Sequence, residues 1–152
     1  MHVVTSHQFH LTDMHTSSRH LIFHAAIVLL FGLLLGAPYA RAIKKNAATH
    51  IVNSWRVAHL SLPIGATLMF AIAALLPSLK VPTSVSWAIA VTLIISSYGF
   101  CVSTSLAAVT GQRGLSTDSV GLGKLVYIGN MVGASTSIIA AVILLYAACV
   151  SL

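Results

Sequence analysis

SWRVAHLSLPIGATLMFAIAALLPSL, the stretch from Ser54 to Leu79, decides the fold of this chain. It opens with a tryptophan, an arginine and a histidine, and its apolar run is long enough to cross a bilayer as a helix. Three other runs of the same kind lie before and after it. The sequence therefore predicts an all-α integral membrane protein, a four-helix bundle with helices at about residues 20–43, 55–79, 85–109 and 125–152.

The composition indicates the same class of protein. Apolar residues make up 57% of the 152 residues and charged residues only 7%, too few to cover a soluble domain of this size. The net charge of +6 comes from basic residues that border the apolar runs, so we expect contact with membrane lipid and no nucleic-acid partner. Residues 1–19 are polar and histidine-rich and are predicted to form an N-terminal tail ahead of the 20–152 transmembrane domain.

The distribution of basic residues predicts an orientation. Four helices place both termini on one side of the membrane. Six of the eight Lys and Arg residues lie in or beside the loops after the first and third helices, and only Arg19 and Lys80 lie on the other side. The positive-inside rule therefore puts those two loops in the cytoplasm.

Patterns of side-chain catalysis are missing from the sequence. Its two acidic residues, Asp13 and Asp118, are far apart and outside the apolar runs, so they provide neither an acid–base pair nor an intramembrane ion path. No Gly-x-Ser-x-Gly or similar nucleophile motif occurs. If the protein is an enzyme, a cofactor must supply its chemistry.

His59 is the strongest candidate for holding such a cofactor. It lies at the entrance of the second helix, behind Trp55 and Arg56. Pro63, one turn later, removes the backbone donor to the His59 carbonyl and predicts a bend. Gly65 follows and predicts a low wall against which a planar ligand could lie. The other interpretation is an ordinary histidine at the membrane interface.

Polar groups in two other helices allow two interpretations each. His20 and His24, one turn apart, have the spacing of paired metal ligands or of two histidines hydrogen-bonded near the headgroups. The third helix carries a polar stripe that either bonds to backbone and neighbouring helices or lines a pocket. The stripe contains Ser96, Ser97, Tyr98, Ser103, Thr104 and Ser105.

Rows of small residues, four apart, predict where helices approach each other closely. The rows are Gly32, Gly36 and Ala40 in the first helix and Gly129, Gly133, Ser137 and Ala141 in the fourth.

Several fragments resemble one family in order and spacing. WRVAH (55–59), the following Pro63 and Gly65, and AALLPSL (73–79) resemble the second helix of bacterial styrene oxide isomerases. LLFG (29–32) resembles part of that family's first helix, and GQRGL (111–115) resembles the segment after its third.

The resemblance implies a trimeric, haem b-binding isomerase of a bacterial inner membrane, with haem near a subunit boundary. It implies that His59 is the axial iron ligand and that ferric iron acts as a Lewis acid on a small apolar epoxide. Ring opening and a 1,2-hydride shift then give an aldehyde without net redox change. Trp55, Arg56 and Arg113 become candidate neighbours of the haem edge or propionates.

The chain departs from the family where the family handles its substrate. An Asn of the family, six residues after the ligand, corresponds to Gly65, and its third-helix Asp and Tyr correspond to Ser96 and Thr104. The family's Arg before the ligand is shifted by one residue, to Arg56. These departures allow a relative with another substrate or a haem protein without isomerase activity. For an isomerase, Ser96, Thr104 and the nearby Tyr98 are the residues expected to contact substrate.

Two other functions remain open at this point. A haem protein for electron transfer or sensing would require a second axial ligand, for which His24 is the candidate within a helix. A structural subunit without a cofactor would use the glycine rows for helix packing alone.

Overall fold

The computed structural model describes residues 16–111 and 121–152, which form helices joined by short connections. The helices are α1 (Thr16–Leu34), α2 (Gly36–Lys44), α3 (Thr49–Leu75), α4 (Thr83–Thr110) and α5 (Leu122–Ser151), with a 3₁₀ turn at Leu76–Ser78. Because α1 and α2 form one interrupted span, the described residues contain four spans long and apolar enough to cross a membrane. The predicted fold class, a four-helix membrane bundle, is confirmed.

The interruption at Leu35 has a cause in the sequence. Pro38 has no N–H, so the Leu34 carbonyl has no helical donor four residues on. Two backbone hydrogen bonds still cross the break, Leu35 N to the Phe31 carbonyl and Tyr39 N to the Leu35 carbonyl, each 3.2 Å long. The break lies between Gly32 and Gly36, the two glycines of the first span that contact α3.

Helix α3 begins at Thr49, before the apolar run that starts near Trp55. Asn46, in the left-handed region at φ 48°, ends the preceding segment, and Ala48 is extended. Polar residues thus continue the helix toward the membrane surface, where backbone groups still need partners. The start expected near Trp55 was wrong, and the segment 49–54, taken as a loop, is helical.

The chain runs up and down through the bundle, so its connections lie at two opposite ends. At one end the backbone N–H of Lys80 donates to Ser151 Oγ at 2.9 Å, which joins the α3–α4 connection to the end of α5. At the other end the His50 side chain lies beside Gly111, where α4 ends. Residues 16–19 of the expected tail are already helical in α1, and residues 1–15 lie outside the described part.

Helices α4 and α5 cross with their backbones in direct contact. A Cβ built on Gly99 would lie 3.0 Å from the Gly129 carbonyl oxygen and 3.0 Å from Gly133 N. The Ser96 hydroxyl donates to the Gly133 carbonyl at 2.8 Å across the same crossing. The predicted close approach at Gly129 and Gly133 is confirmed, but its partner, Gly99, was missed and Ala141 is exposed.

Gly99→Ala is expected to destabilise the bundle by about 1–3 kcal/mol, the usual cost of overpacking a tight contact. The added methyl meets backbone, which cannot rotate away. Unfolding by denaturant in detergent measures the effect. Gly65→Ala is the matched control, because a Cβ there has no heavy atom within 4 Å. Equal stabilities of the two variants would contradict this account of the crossing.

Helices α1 and α3 pack through a second glycine contact. A Cβ on Gly32 would lie 2.6 Å from Pro63 Cδ and 2.9 Å from Leu62 Cβ. Pro63 therefore packs into the notch at Gly32, inside an α3 that stays helical through the proline. Of the first predicted row, Gly32 and Gly36 lie at this contact, whereas Ala40 is exposed.

Candidate functional site

The imidazole of His59 is held by the backbone of the first span. Its Nδ1 lies 2.9 Å from the Gly32 carbonyl oxygen. A carbonyl can only accept, so Nδ1 carries the proton and donates, and Nε2 of the neutral ring keeps its lone pair. Within residues 16–111 and 121–152, Nε2 has no hydrogen-bond partner. This tautomer leaves Nε2 available, as in histidines that ligate a metal through Nε2.

Gly36 forms the wall against the His59 ring. A Cβ on Gly36 would lie 3.1 Å from Cε1, 3.4 Å from Nδ1 and 3.5 Å from Nε2 of that ring. The Tyr39 ring follows one turn on, with its centroid 6.1 Å from the imidazole centroid and a 30° angle between the planes. The glycine in contact with the His59 ring is thus Gly36 of a neighbouring helix, whereas Gly65 lines a separate cleft.

The other predicted cofactor neighbours lie partly around His59. Trp55, one turn before His59, is half-buried and packs against a core cluster around Val28 and Leu62. Arg56 is exposed on the same end of α3. Arg113 lies outside the described residues.

A cleft opens on a different side of α3. Its inner chamber has a volume of about 470 Å³, and an outer chamber of about 300 Å³ adjoins it. Val57, Thr104 and Asn130 line both chambers, so the two form one continuous cleft. Helices α3, α4 and α5 each supply part of its lining.

The cleft changes in polarity along its length. Its outer chamber, near the α4–α5 connection, is lined by polar side chains that include His50, Asn53 and Ser54. Its inner chamber is lined mainly by apolar groups, among them Ile64 and Phe100. The arrangement suits a ligand whose reacting end is apolar, because the inner chamber offers that end few polar partners.

His59 and most of the α3 residues that line the cleft lie on nearly opposite faces of the helix, with Leu62 as the exception. A helix turns by about 100° per residue, so Val57 and Ser61 each lie about 160° around the axis from His59. Gly65 lies about 120° away and lines the cleft instead of the His59 site. A ligand bound to Nε2 of His59 is therefore directed away from the cleft of the same chain.

The three predicted substrate-contacting residues of α4 have separate surroundings. The buried Ser96 hydroxyl joins α4 to α5. Tyr98 Oη lies 2.9 Å from His24 Nδ1 of α1. Thr104 alone of the three lines the cleft, and its hydroxyl donates to the Phe100 carbonyl at 2.7 Å.

His24 is poorly situated as a second ligand to an iron bound at His59. It precedes Gly32, the residue bonded to His59, by about 12 Å along the helix axis. Its Nδ1 is engaged with Tyr98. Among the described residues, no group of three His, Cys, Asp or Glu side chains could hold a bare metal ion.

Several residues that line the cleft are not among the predicted site residues. They follow one face of α3 at helical spacing and are joined by one residue of α5: His50, Asn53, Ser54, Val57, Ser61 and Asn130. The i+3 and i+4 recurrence from His50 to Ser61 was the available signal. It was hidden because residues 49–54 had been assigned to a loop.

These features define a multi-pass membrane helix bundle with one backbone-held imidazole and a separate amphipathic cleft. Residues 17–149 match the family model of styrene oxide isomerase. The chain therefore belongs to the styrene oxide isomerase family, and the resemblance predicted from the sequence is confirmed. Membership supports an isomerase of the styrene oxide type. Comparisons with curated proteins and with solved structures give no match.

Proposed function

We propose that this protein is a haem b-dependent membrane isomerase that converts a small apolar epoxide to an aldehyde without net redox change. The observation that carries the proposal is His59, whose Nδ1 is bonded to the Gly32 carbonyl so that Nε2 is left to ligate iron. Membership of residues 17–149 in the styrene oxide isomerase family supports the reaction type.

The residues around His59 suit a planar macrocycle better than a bare ion. One imidazole is too few protein ligands for a free metal, whereas haem iron needs only one or two from the protein. Bound ferric haem would supply the Lewis acid that polarises the epoxide oxygen. The exposed Arg56 and the half-buried Trp55 would hold the propionates and the ring edge, together with Arg113.

The inner chamber of the cleft would protect the reacting carbon from water. As the carbon–oxygen bond of an epoxide breaks, positive charge develops on carbon, and water would trap it as a diol. Ile64 and Phe100 line the chamber with apolar surface and limit water there. The Thr104 hydroxyl donates its hydrogen to the Phe100 carbonyl, so its oxygen can present only lone pairs to the positive charge on the reacting carbon.

A homo-oligomer would bring His59 and a cleft together. Since the two features of one chain face opposite sides of α3, we propose that His59 of one subunit faces the cleft of the next. The family resemblance implies a trimer, and any closed ring with one repeated contact meets the requirement. We further propose that the assembly lies among the lipids of a bacterial inner membrane.

Purified protein from haem-replete cells tests the proposal. We expect a strong Soret band with one haem per chain, and conversion of styrene oxide or a simple aliphatic epoxide to the aldehyde without added reductant. The absorption spectrum, a pyridine haemochrome assay and product chromatography measure these properties. A haem-loaded protein that leaves all such epoxides unchanged would exclude the isomerase, and a colourless protein would exclude haem.

The wall at Gly36 provides a more local prediction. In Gly36→Ala the new methyl carbon would lie 3.1 Å from His59 Cε1, so the ring must shift by a few tenths of an ångström. We expect haem affinity to fall by about 10–100-fold, as for other losses of ligand orientation. Haem transfer to apomyoglobin measures the affinity, with the wild-type protein as the reference. Unchanged affinity in Gly36→Ala would contradict this orientation of the ring.

A further inference from the structure

The N-terminal end of α1 carries a compact group of basic and hydroxyl side chains. Arg19, His20, His24 and Thr16 line one open recess together with Phe23. The His20 ring lies against Trp87 of α4, with ring centroids 5.2 Å apart. Four of these five α1 side chains can donate hydrogen bonds, and one carries a permanent positive charge.

An apolar stripe continues from this group along the same face of α1. Its residues recur at i+3 and i+4, and each is exposed: Phe23 61%, Ile27 38%, Leu30 60% and Leu34 63%. The buried residues of α1, such as Leu21, Ala25 and Val28, lie on the opposite face. The outward face of α1 is therefore polar and basic at its end and apolar below.

We infer that this face binds one anionic phospholipid, with the phosphate on Arg19, His20 and Thr16 and an acyl chain along the stripe. Arg pairs well with phosphate oxygens, and the imidazole and hydroxyl add donors. The position suits a headgroup, because Thr16 begins a membrane-spanning helix. A transition-metal ion fits less well, because Arg19 adds positive charge and no carboxylate or thiolate lines the described recess.

Tryptophan fluorescence can test this site. The chain has two tryptophans, so Trp55→Phe leaves Trp87 as the sole emitter, next to His20. This protein is placed in phosphatidylcholine vesicles that contain, at equal mole fraction, either brominated phosphatidylglycerol or brominated phosphatidylcholine. Bromine near the headgroup end of the chain quenches a tryptophan in contact with that lipid. Quenching by bound haem affects both preparations equally and cancels in their ratio.

We expect brominated phosphatidylglycerol to quench Trp87 as strongly as if its mole fraction beside Trp87 were on the order of fivefold higher than in the bulk bilayer. This enrichment corresponds to about 1 kcal/mol, the contribution of one basic residue near an anionic lipid. Arg19→Gln should abolish the enrichment. Lys80→Gln is the matched control, because Lys80 lies at the same end of the bundle but outside the recess. It should leave the enrichment unchanged.

Three results would overturn the inference. Equal quenching by the two lipids would show that the recess does not select anionic headgroups. An equal loss of enrichment in Lys80→Gln and Arg19→Gln would show general surface attraction instead of a site. No quenching by either lipid would show that lipid does not occupy this face.

Discussion

His59→Ala is expected to give a folded but colourless protein without epoxide isomerase activity, even from haem-replete cells. The Nδ1 of His59 is occupied by the Gly32 carbonyl, so Nε2 is the atom that we assign to iron. A Lewis-acidic metal contributes several kcal/mol to transition-state stabilisation, so its loss should lower kcat/KM on the order of a thousandfold. The Soret absorbance per chain and the rate of aldehyde formation measure the two losses.

Two further variants separate iron ligation from packing. His59→Gln keeps a donor for the Gly32 carbonyl but has no imidazole, so it should be as colourless as His59→Ala. His24→Ala breaks the contact with Tyr98 but keeps His59, so it should retain the haem band. A Soret band retained in His59→Ala, or a Soret band lost only in His24→Ala, would contradict the assignment of His59 as the iron ligand.

The four-span architecture could be predicted from the sequence because hydropathy alone identifies membrane helices. Apolar backbone segments must satisfy their hydrogen bonds internally, so each long apolar run becomes a helix. The ends were less predictable, as at α3, which begins at Thr49. There the polar residues at the membrane surface continue the helix, and hydropathy does not register them.

The candidate site could be predicted only in part. The position of His59 behind Trp55 and Arg56 predicts it as the ligand, which stays a prediction, and the sequence points to Gly65 of the same helix as the glycine beside it. The glycine in contact with the ring, Gly36, belongs to another helix, and only the packing of α1 and α2 on α3 identifies it. Contacts between helices depend on how far each helix is rotated about its own axis, and a single sequence does not specify that rotation.

The departures from the family pattern differ in what they imply for the substrate. Gly65 and Thr104, the positions where the resemblance implies an Asn and a Tyr in the family, line the cleft. Ser96 instead bonds to the Gly133 carbonyl across the α4–α5 crossing. We therefore expect the change in substrate handling to come from Gly65 and Thr104, and the consequence of Ser96 to be helix packing.

Two inactive variants are expected to restore activity to each other when expressed together. One is His59→Ala, which keeps an open cleft. The other is Gly65→Trp, which keeps His59 but fills the inner chamber with an indole, since space beyond Gly65 is open. If the site forms between subunits, some boundaries pair His59 of a Gly65→Trp chain with the cleft of a His59→Ala chain. Such a boundary contains an intact His59 and an intact cleft, the two halves of the site.

The size of the recovery follows from random assembly. In a ring with one repeated contact, each boundary combines the two intact halves in about a quarter of cases when the variants are expressed equally. We therefore expect about a quarter of wild-type activity from co-expressed, co-purified chains. Aldehyde formation per total chain, relative to wild type, measures it, and the two variants purified separately and mixed in detergent without exchange serve as the control. Absence of any recovery in verified mixed oligomers would mean that one chain supplies both His59 and the cleft to its own site, contrary to their opposite faces on α3.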